Sequence, residues 1–146
     1  MLSRINLIVI TLWVGALWIT GLTAYVLFDT LQDKQLAGNL AGKLFTIVSY
    51  IGVASAFYLL IGRLFAFGTG ALKQSFFWAV FVMLLLILAG HFGIQPILAQ
   101  LKTDALPNDV MHSVFANRFS TWHGVASMAY LAQCLLGFVL VLKARG

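Results

Sequence analysis

Charge is scarce in this chain. Only 9% of its 146 residues are charged and 62% are hydrophobic, whereas soluble domains carry about a quarter charged residues. Such a chain lacks the polar surface needed to face water on all sides. Its single cysteine, Cys134, excludes an internal disulfide and any metal site built on a cysteine pair, which leaves it a packing role. The acids are Asp29, Asp33, Asp104 and Asp109, and all lie outside the apolar runs. A di-iron carboxylate centre, a tetrahedral zinc site and a carboxylate acid–base pair therefore lack their ingredients. No serine–histidine–acid set is present either, so the chain offers little for an enzyme to work with. Of the two prolines, Pro96 lies toward the end of a run and Pro107 lies beyond it. With no charge and no midplane helix breaker inside the runs, a transporter pathway is the least supported reading.

Four uncharged apolar runs are present, Ile5–Phe28, Leu44–Gly62, Phe76–Gln100 and Phe119–Leu142. Each has the length and apolarity of a membrane span. They predict an all-α, four-transmembrane-helix bundle forming one domain over residues 1–146, without linker, repeat or low-complexity tract. The opening MLSRINLIVITLWVGALWITGLTA has the outline of a signal peptide, but its apolar stretch of about 24 residues is too long for one. It reads as the first span.

The net charge of +5 is an orientation signal rather than a nucleic-acid footprint. With four spans, one side receives Arg4, Arg63, Lys73, Lys143 and Arg145 and no acid. The other side receives Lys34, Lys43, Lys102 and Arg118 with all the aspartates. The positive-inside rule then places both termini in the cytoplasm, and the expected location is a bacterial cytoplasmic (inner) membrane.

The glycine-rich GRLFAFGTGALKQ (Gly62–Gln74) is short, so spans two and three should be antiparallel neighbours. Asp29–Lys43 lacks proline and is expected to extend span two outward as a helix. LKTDALPNDV (Leu101–Val110) reads as a turn in which Asn108 or Asp109 caps the next helix. A helix from Asp109 to Leu142 would run about 51 Å at 1.5 Å per residue, so the last helix is expected to extend on the non-cytoplasmic side. In AGNLAGKLF (Ala37–Phe45), the pairs Ala37/Ala41 and Gly38/Gly42 form a small-residue face of the kind that lets membrane helices approach closely. A ligand loop is the other reading, although the spacing is not that of a phosphate loop.

Polar side chains at membrane depth are few and fall in stripes. Thr11, Gly15, Trp18, Leu22 and Tyr25 share one face of span one. Thr46, Ser49 and Tyr50 lie toward the outer end of span two. On span three, His91 and Gln95 are one turn apart, with Gly90 and Gly93 beside them. On span four, His123, Ser127, Tyr130 and Cys134 recur at helical spacing. All are expected to turn inward, Trp18, Gln95, Ser127 and Tyr130 as a polar interior and Gly15, Gly90 and Gly93 as helix-packing positions. His91 lies roughly 12 Å below the outer surface, where an ionisable group is by default a functional candidate. The alternative is a neutral histidine bonded to a carbonyl, a hydroxyl or Gln95. His91 and His123 together are the candidate ligands for haem b, which needs two imidazoles facing each other at similar depth. Their estimated depths differ by about 7 Å. His112, on nearly the same helical face as His123, is with Met111 a candidate for copper.

LWVGALW (Leu12–Trp18), VLF (Val26–Phe28) and AGNLAGKLF resemble the first half of the transmembrane-protein-205-like family, small four-span proteins with a domain of unknown function. RFSTWHGVAS (Arg118–Ser127) resembles the pattern opening that family's last span. The resemblance implies a four-helix membrane domain and marks Phe119, His123 and Gly124 as family-type positions. Tyr25 stands where the family often has proline, so that helix ending does not carry over. A weaker likeness in size, span count and histidine use links the chain to small four-span protoporphyrinogen oxidases and copper-resistance membrane domains. The expected function is that of a helix-packing accessory or scaffold subunit of a membrane complex, or of a homo-oligomer. Its partners would be lipid, other membrane subunits or copies of itself, and not nucleic acid. The alternative is a haem b- or copper-binding membrane protein using His91 and His123.

Overall fold

A computed structural model describes residues 3–144; Arg145, counted above among the basic residues of one side, lies outside them. Helix α1 spans Arg4–Thr30, with the Ser3 hydroxyl accepting the Asn6 N–H as its cap. Helix α2 spans Lys34–Phe67 and is capped by the Asp33 carboxylate, which accepts from Gln35 and Leu36 at 3.0 Å each. The tight link between them is closed by the Lys34 ammonium, which donates to the carbonyls of Phe28 and Leu31. Those are among the acceptors left over at the end of α1. As expected, α2 begins well before its apolar run. It ends at Gly68, whose φ of +53° with ψ of −135° is a positive-φ conformation that glycine, lacking a Cβ, adopts cheaply. A 3₁₀ segment, Gly68–Lys73, turns the chain into the third rod.

That rod is not a uniform α-helix. Helix α3 (Ser75–Leu88) passes through a π-turn at Ala89–Ile94 into α4 (Gln95–Ala105). Pro96 supplies the cause, because its ring cannot donate to the carbonyl one turn back and clashes with it. One widened turn absorbs the mismatch, and Gly90 and Gly93 make it easy to form.

The last helix differs from expectation. The chain turns at Leu106–Asp109 and forms a short 3₁₀ turn, Val110–His112. Helix α5 starts only at Ala116 and runs to Lys143, about 42 Å at 1.5 Å per residue. The Ser113 hydroxyl donates to the Val110 carbonyl at 2.6 Å and accepts the Phe115 N–H at 3.2 Å. Such local bonding competes with helix formation. Val110 and Phe115 also pull the segment onto Leu101 and Ala105, and the Val110 N–H donates to the Gln35 side chain at 3.0 Å. Neither Asn108 nor Asp109 caps α5.

The rods alternate in direction. Leu7 and Ile10 of α1 line one cleft with Val141 and Ala144 of α5 at one end, where Lys143 also reaches Ser75. Lys102 meets Asn39 at the opposite end. All four helical rods are long and apolar enough to cross a membrane. The core lies between them and toward the first of these ends, built from Trp13, Leu17, Leu59, Val80, Met83, Ile87, Cys134 and Leu140 among others. Two glycines set its closest approaches. A Cβ at Gly52 of α2 would lie 2.6 Å from Ile87 and 2.9 Å from the Trp13 indole nitrogen. One at Gly137 of α5 would lie 3.3 Å from Val14.

The face of α1 expected to turn inward turns outward. Trp18 is 45% exposed, and Leu22 and Tyr25 stand exposed beside it, while Trp13 is fully buried. Gly15 has nothing within 4 Å of where a Cβ would sit. In a membrane this face meets acyl chains or another protein.

Candidate functional site

Helix α5 divides into two halves. Its buried residues are Gln133, Cys134, Gly137 and Leu140, all in the second half. From Met111 to Ala132 no residue is buried. The first half nevertheless carries most of the helix's polar residues and a row of small ones. Ala116, Ser120 and Gly124 follow one another at i, i+4 and i+8, and His123 and Ser127 lie on adjacent rows. A Cβ at Gly124 would meet nothing within 4 Å. The hydroxyls of Thr121 and Ser127 bond back to the carbonyls of Asn117 and His123 at 3.0 and 2.9 Å, so they need no interior position. His123 stacks on Phe119, with centroids 5.9 Å apart, and meets Phe28 edge-on at 6.5 Å. Its remaining face is open. Tyr130, at the boundary of the two halves, turns inward. Its hydroxyl donates to the Leu17 carbonyl, and its ring packs edge-on against Phe45 at 5.0 Å.

The AGNLAGKLF segment is linked to this half-helix through Phe28 and Lys102. Ala37 and Ala41 are buried, so one of the two small-residue rows turns into the bundle. Gly38 lies near Phe28 and the Lys102 ammonium, whereas Gly42 faces open space. Lys102 donates to the Asn39 side-chain oxygen at 3.1 Å and lies 5.7 Å from the Phe119 ring centre. Sequence reading missed this link, since Lys102 appeared only as a loop charge.

His91 sits within the π-turn. Tyr50 meets its ring edge-on at 5.2 Å and Phe92 at 4.8 Å. Its Nδ1 is buried without a hydrogen-bond partner among the described residues, so no carbonyl, hydroxyl or Gln95 satisfies that atom. Gly90 and Gly93 have nothing within 4 Å of a Cβ. They serve the π-turn and not a tight helix crossing. The ring partners of His91 are Tyr50 and Phe92 and those of His123 are Phe28 and Phe119, with none in common.

His112 and Met111 lie on the 3₁₀ turn, both exposed, and not on the helix of His123. His112 faces Asp109 at 3.8 Å. Among the described residues no group of three or more His, Cys, Asp or Glu side chains is placed to hold a metal ion. Other contacts missed from sequence are the Gly52 and Gly137 crossings and the Arg63–Gln74 bond of 2.8 Å. No spacing rule identifies them, because each depends on which faces meet.

The chain belongs to the family defined by a domain of unknown function, DUF4149, whose signature matches residues 8–107. No curated protein matches the chain, and no solved structure does.

Proposed function

We propose that this DUF4149 chain works by side-to-side association within the membrane, as a homo-oligomer or as an accessory or scaffold subunit of a larger complex, with the first half of α5 as the contact. One observation carries the reading. Half of a membrane-spanning helix presents Ala116, Ser120, Gly124, His123 and Ser127 while none of its residues is buried by its own chain. An ionisable side chain such as His123 is costly at membrane depth. A row of small residues lets a second backbone approach, which matters where association depends on packing and not on expelling water. The narrower likeness to the transmembrane-protein-205-like family, the bacterial cytoplasmic membrane, and an orientation with both termini cytoplasmic belong to this same reading.

The test is the mass of the protein in mild detergent by light scattering, with cross-linking in native membranes. Wild type should exceed a monomer or be captured with a neighbouring subunit. Gly124→Leu should weaken that association at least about tenfold, or roughly 1.4 kcal/mol, while Leu142→Ala leaves it intact. A lone wild-type monomer with no cross-linked neighbour would end the proposal.

A second reading rests on His91, whose buried Nδ1 lacks a partner. An imidazole in that state suits a ligand role for haem b or copper, with further ligands supplied by another chain. Absorption spectra of gently purified protein, oxidised and then reduced, should show a Soret band or stoichiometric copper that His91→Ala removes. A colourless, metal-free wild type rejects it.

A further inference from the structure

At the end of the bundle where α1 begins and α5 finishes, the described charges are Arg4, Arg63, Lys73 and Lys143, and no acid is present. Two of these cations are held at one corner through adjacent residues. Arg63 donates from Nη1 to the Gln74 side chain at 2.8 Å, and Lys143 donates from Nζ to the Ser75 hydroxyl at 2.9 Å. The Arg63 guanidinium is braced by the rings of Phe76 and Phe67, 4.2 and 5.4 Å from their centres. Its Nε is buried without an acceptor. Helix α3 begins here with no acid in its first turn and no side-chain cap from Gln74, so its positive end adds to the same field. Both cations have only neutral partners, so the corner lacks an anion.

The surroundings indicate the kind of anion. Leu64, Phe65, Phe67 and Leu72 are exposed around the corner, Phe65 at 88%. Trp78, half-exposed, donates its indole N–H to the Leu72 carbonyl at 2.8 Å, an arrangement that suits the membrane–water boundary. A soluble anion would gain nothing from these exposed apolar side chains. A phospholipid would lay its acyl chains along them and bring its phosphate to the two cations.

We propose that Arg63, Lys143 and the start of α3 bind the phosphate group of an anionic phospholipid. Basic clusters at membrane boundaries recognise such headgroups, each cation contributing about 1 kcal/mol. The test uses the full chain in neutral detergent micelles with added phosphatidylglycerol or phosphatidylcholine. Retained lipid is counted by native mass spectrometry and the melting temperature is followed in parallel. Wild type should retain phosphatidylglycerol in preference and melt higher with it. Lys143→Gln should reduce that preference about fivefold, and Arg63→Gln should do the same or more. Lys43→Gln, at the opposite end, should leave it unchanged. If Arg63→Gln does not fold, Lys143→Gln alone decides, since its side chain is exposed. Equal retention of both lipids, or an undiminished preference in Lys143→Gln, would overturn the proposal. A loss as large in Lys43→Gln would overturn it by making the effect one of net charge. An equal melting shift from inorganic phosphate would overturn the lipid as the source of the phosphate.

Discussion

Gly52→Val is expected to cost about 3 kcal/mol or more, a large share of the roughly 5–15 kcal/mol by which folded domains are typically stable. Gly52 is where α2 passes between α1 and α3. A Cβ there would approach the Ile87 δ-methyl at 2.6 Å and the Trp13 indole at 2.9 and 3.4 Å. The Ile87 methyl is the end of a flexible side chain and can swing away. The indole is rigid and fully buried, so relief on that side requires the helices to separate. Gly52→Ala should be milder, because alanine regains about 1 kcal/mol of helix propensity against an overpacking cost of about 1–3 kcal/mol. Gly15→Ala is the internal control. Nothing lies within 4 Å of its Cβ position, so that variant should melt at or slightly above wild type. Thermal unfolding followed by circular dichroism in one detergent ranks the four proteins. A Gly52→Val variant melting with wild type would mean that this crossing is looser than described.

The contrast between Gly52 and Gly15 shows what the sequence could and could not reveal. Both are span glycines beside aromatic residues, and nothing in their immediate spacing tells the crossing from the open surface. The four spans were legible because hydrocarbon thickness imposes a length and an apolarity that few other structures share. The segregation of charge was legible too, with the described cations Arg4, Arg63, Lys73 and Lys143 at one end and all four aspartates at the other. The direction in which each helix faces was not. Lipid is as apolar as a protein core, so the periodicity of Thr11, Gly15, Trp18, Leu22 and Tyr25 defined a face without saying what it met. The polar members misled for a local reason. The hydroxyl of Thr11 bonds back to the carbonyl of Leu7 at 2.8 Å. A hydroxyl satisfied within its own helix gains nothing from facing inward.

The candidate site was legible as residue types and not as an arrangement. His123, Gly124 and Ser127 stood out by sequence, but an isolated chain was expected to fold them inside. The structure places them outside, on a helix that starts seven residues later than Asp109, after the Ser113 turn. The packing of α5 against the other rods is then concentrated around Gln133, Cys134, Gly137 and Leu140. The half-helix left over is what makes association the stronger reading. The same rearrangement separates His112 from His123 and weakens a copper site built on that pair.

Trp13→Ala is the other substitution expected to have a large effect, and its comparison with Trp13→Phe separates packing from polarity. Trp13 is the largest fully buried side chain, and its indole nitrogen has no hydrogen-bond partner among the described residues. Truncation to alanine leaves a cavity against Gly52 and Ile87. Such losses cost about 3–5 kcal/mol in water-soluble cores. In a membrane the unfolded reference also keeps the side chain out of water, so the loss should fall toward the lower end of that range. Trp13→Phe keeps most of the ring volume and removes the unpaired N–H, whose burial carries a penalty of about 1–3 kcal/mol. It should therefore lose about 1 kcal/mol or less. The same detergent melts decide between them. If Trp13→Phe destabilises as much as Trp13→Ala, the indole N–H has a partner in the membrane that the isolated chain does not supply. The contact surface of this protein would then reach deeper than the first half of α5.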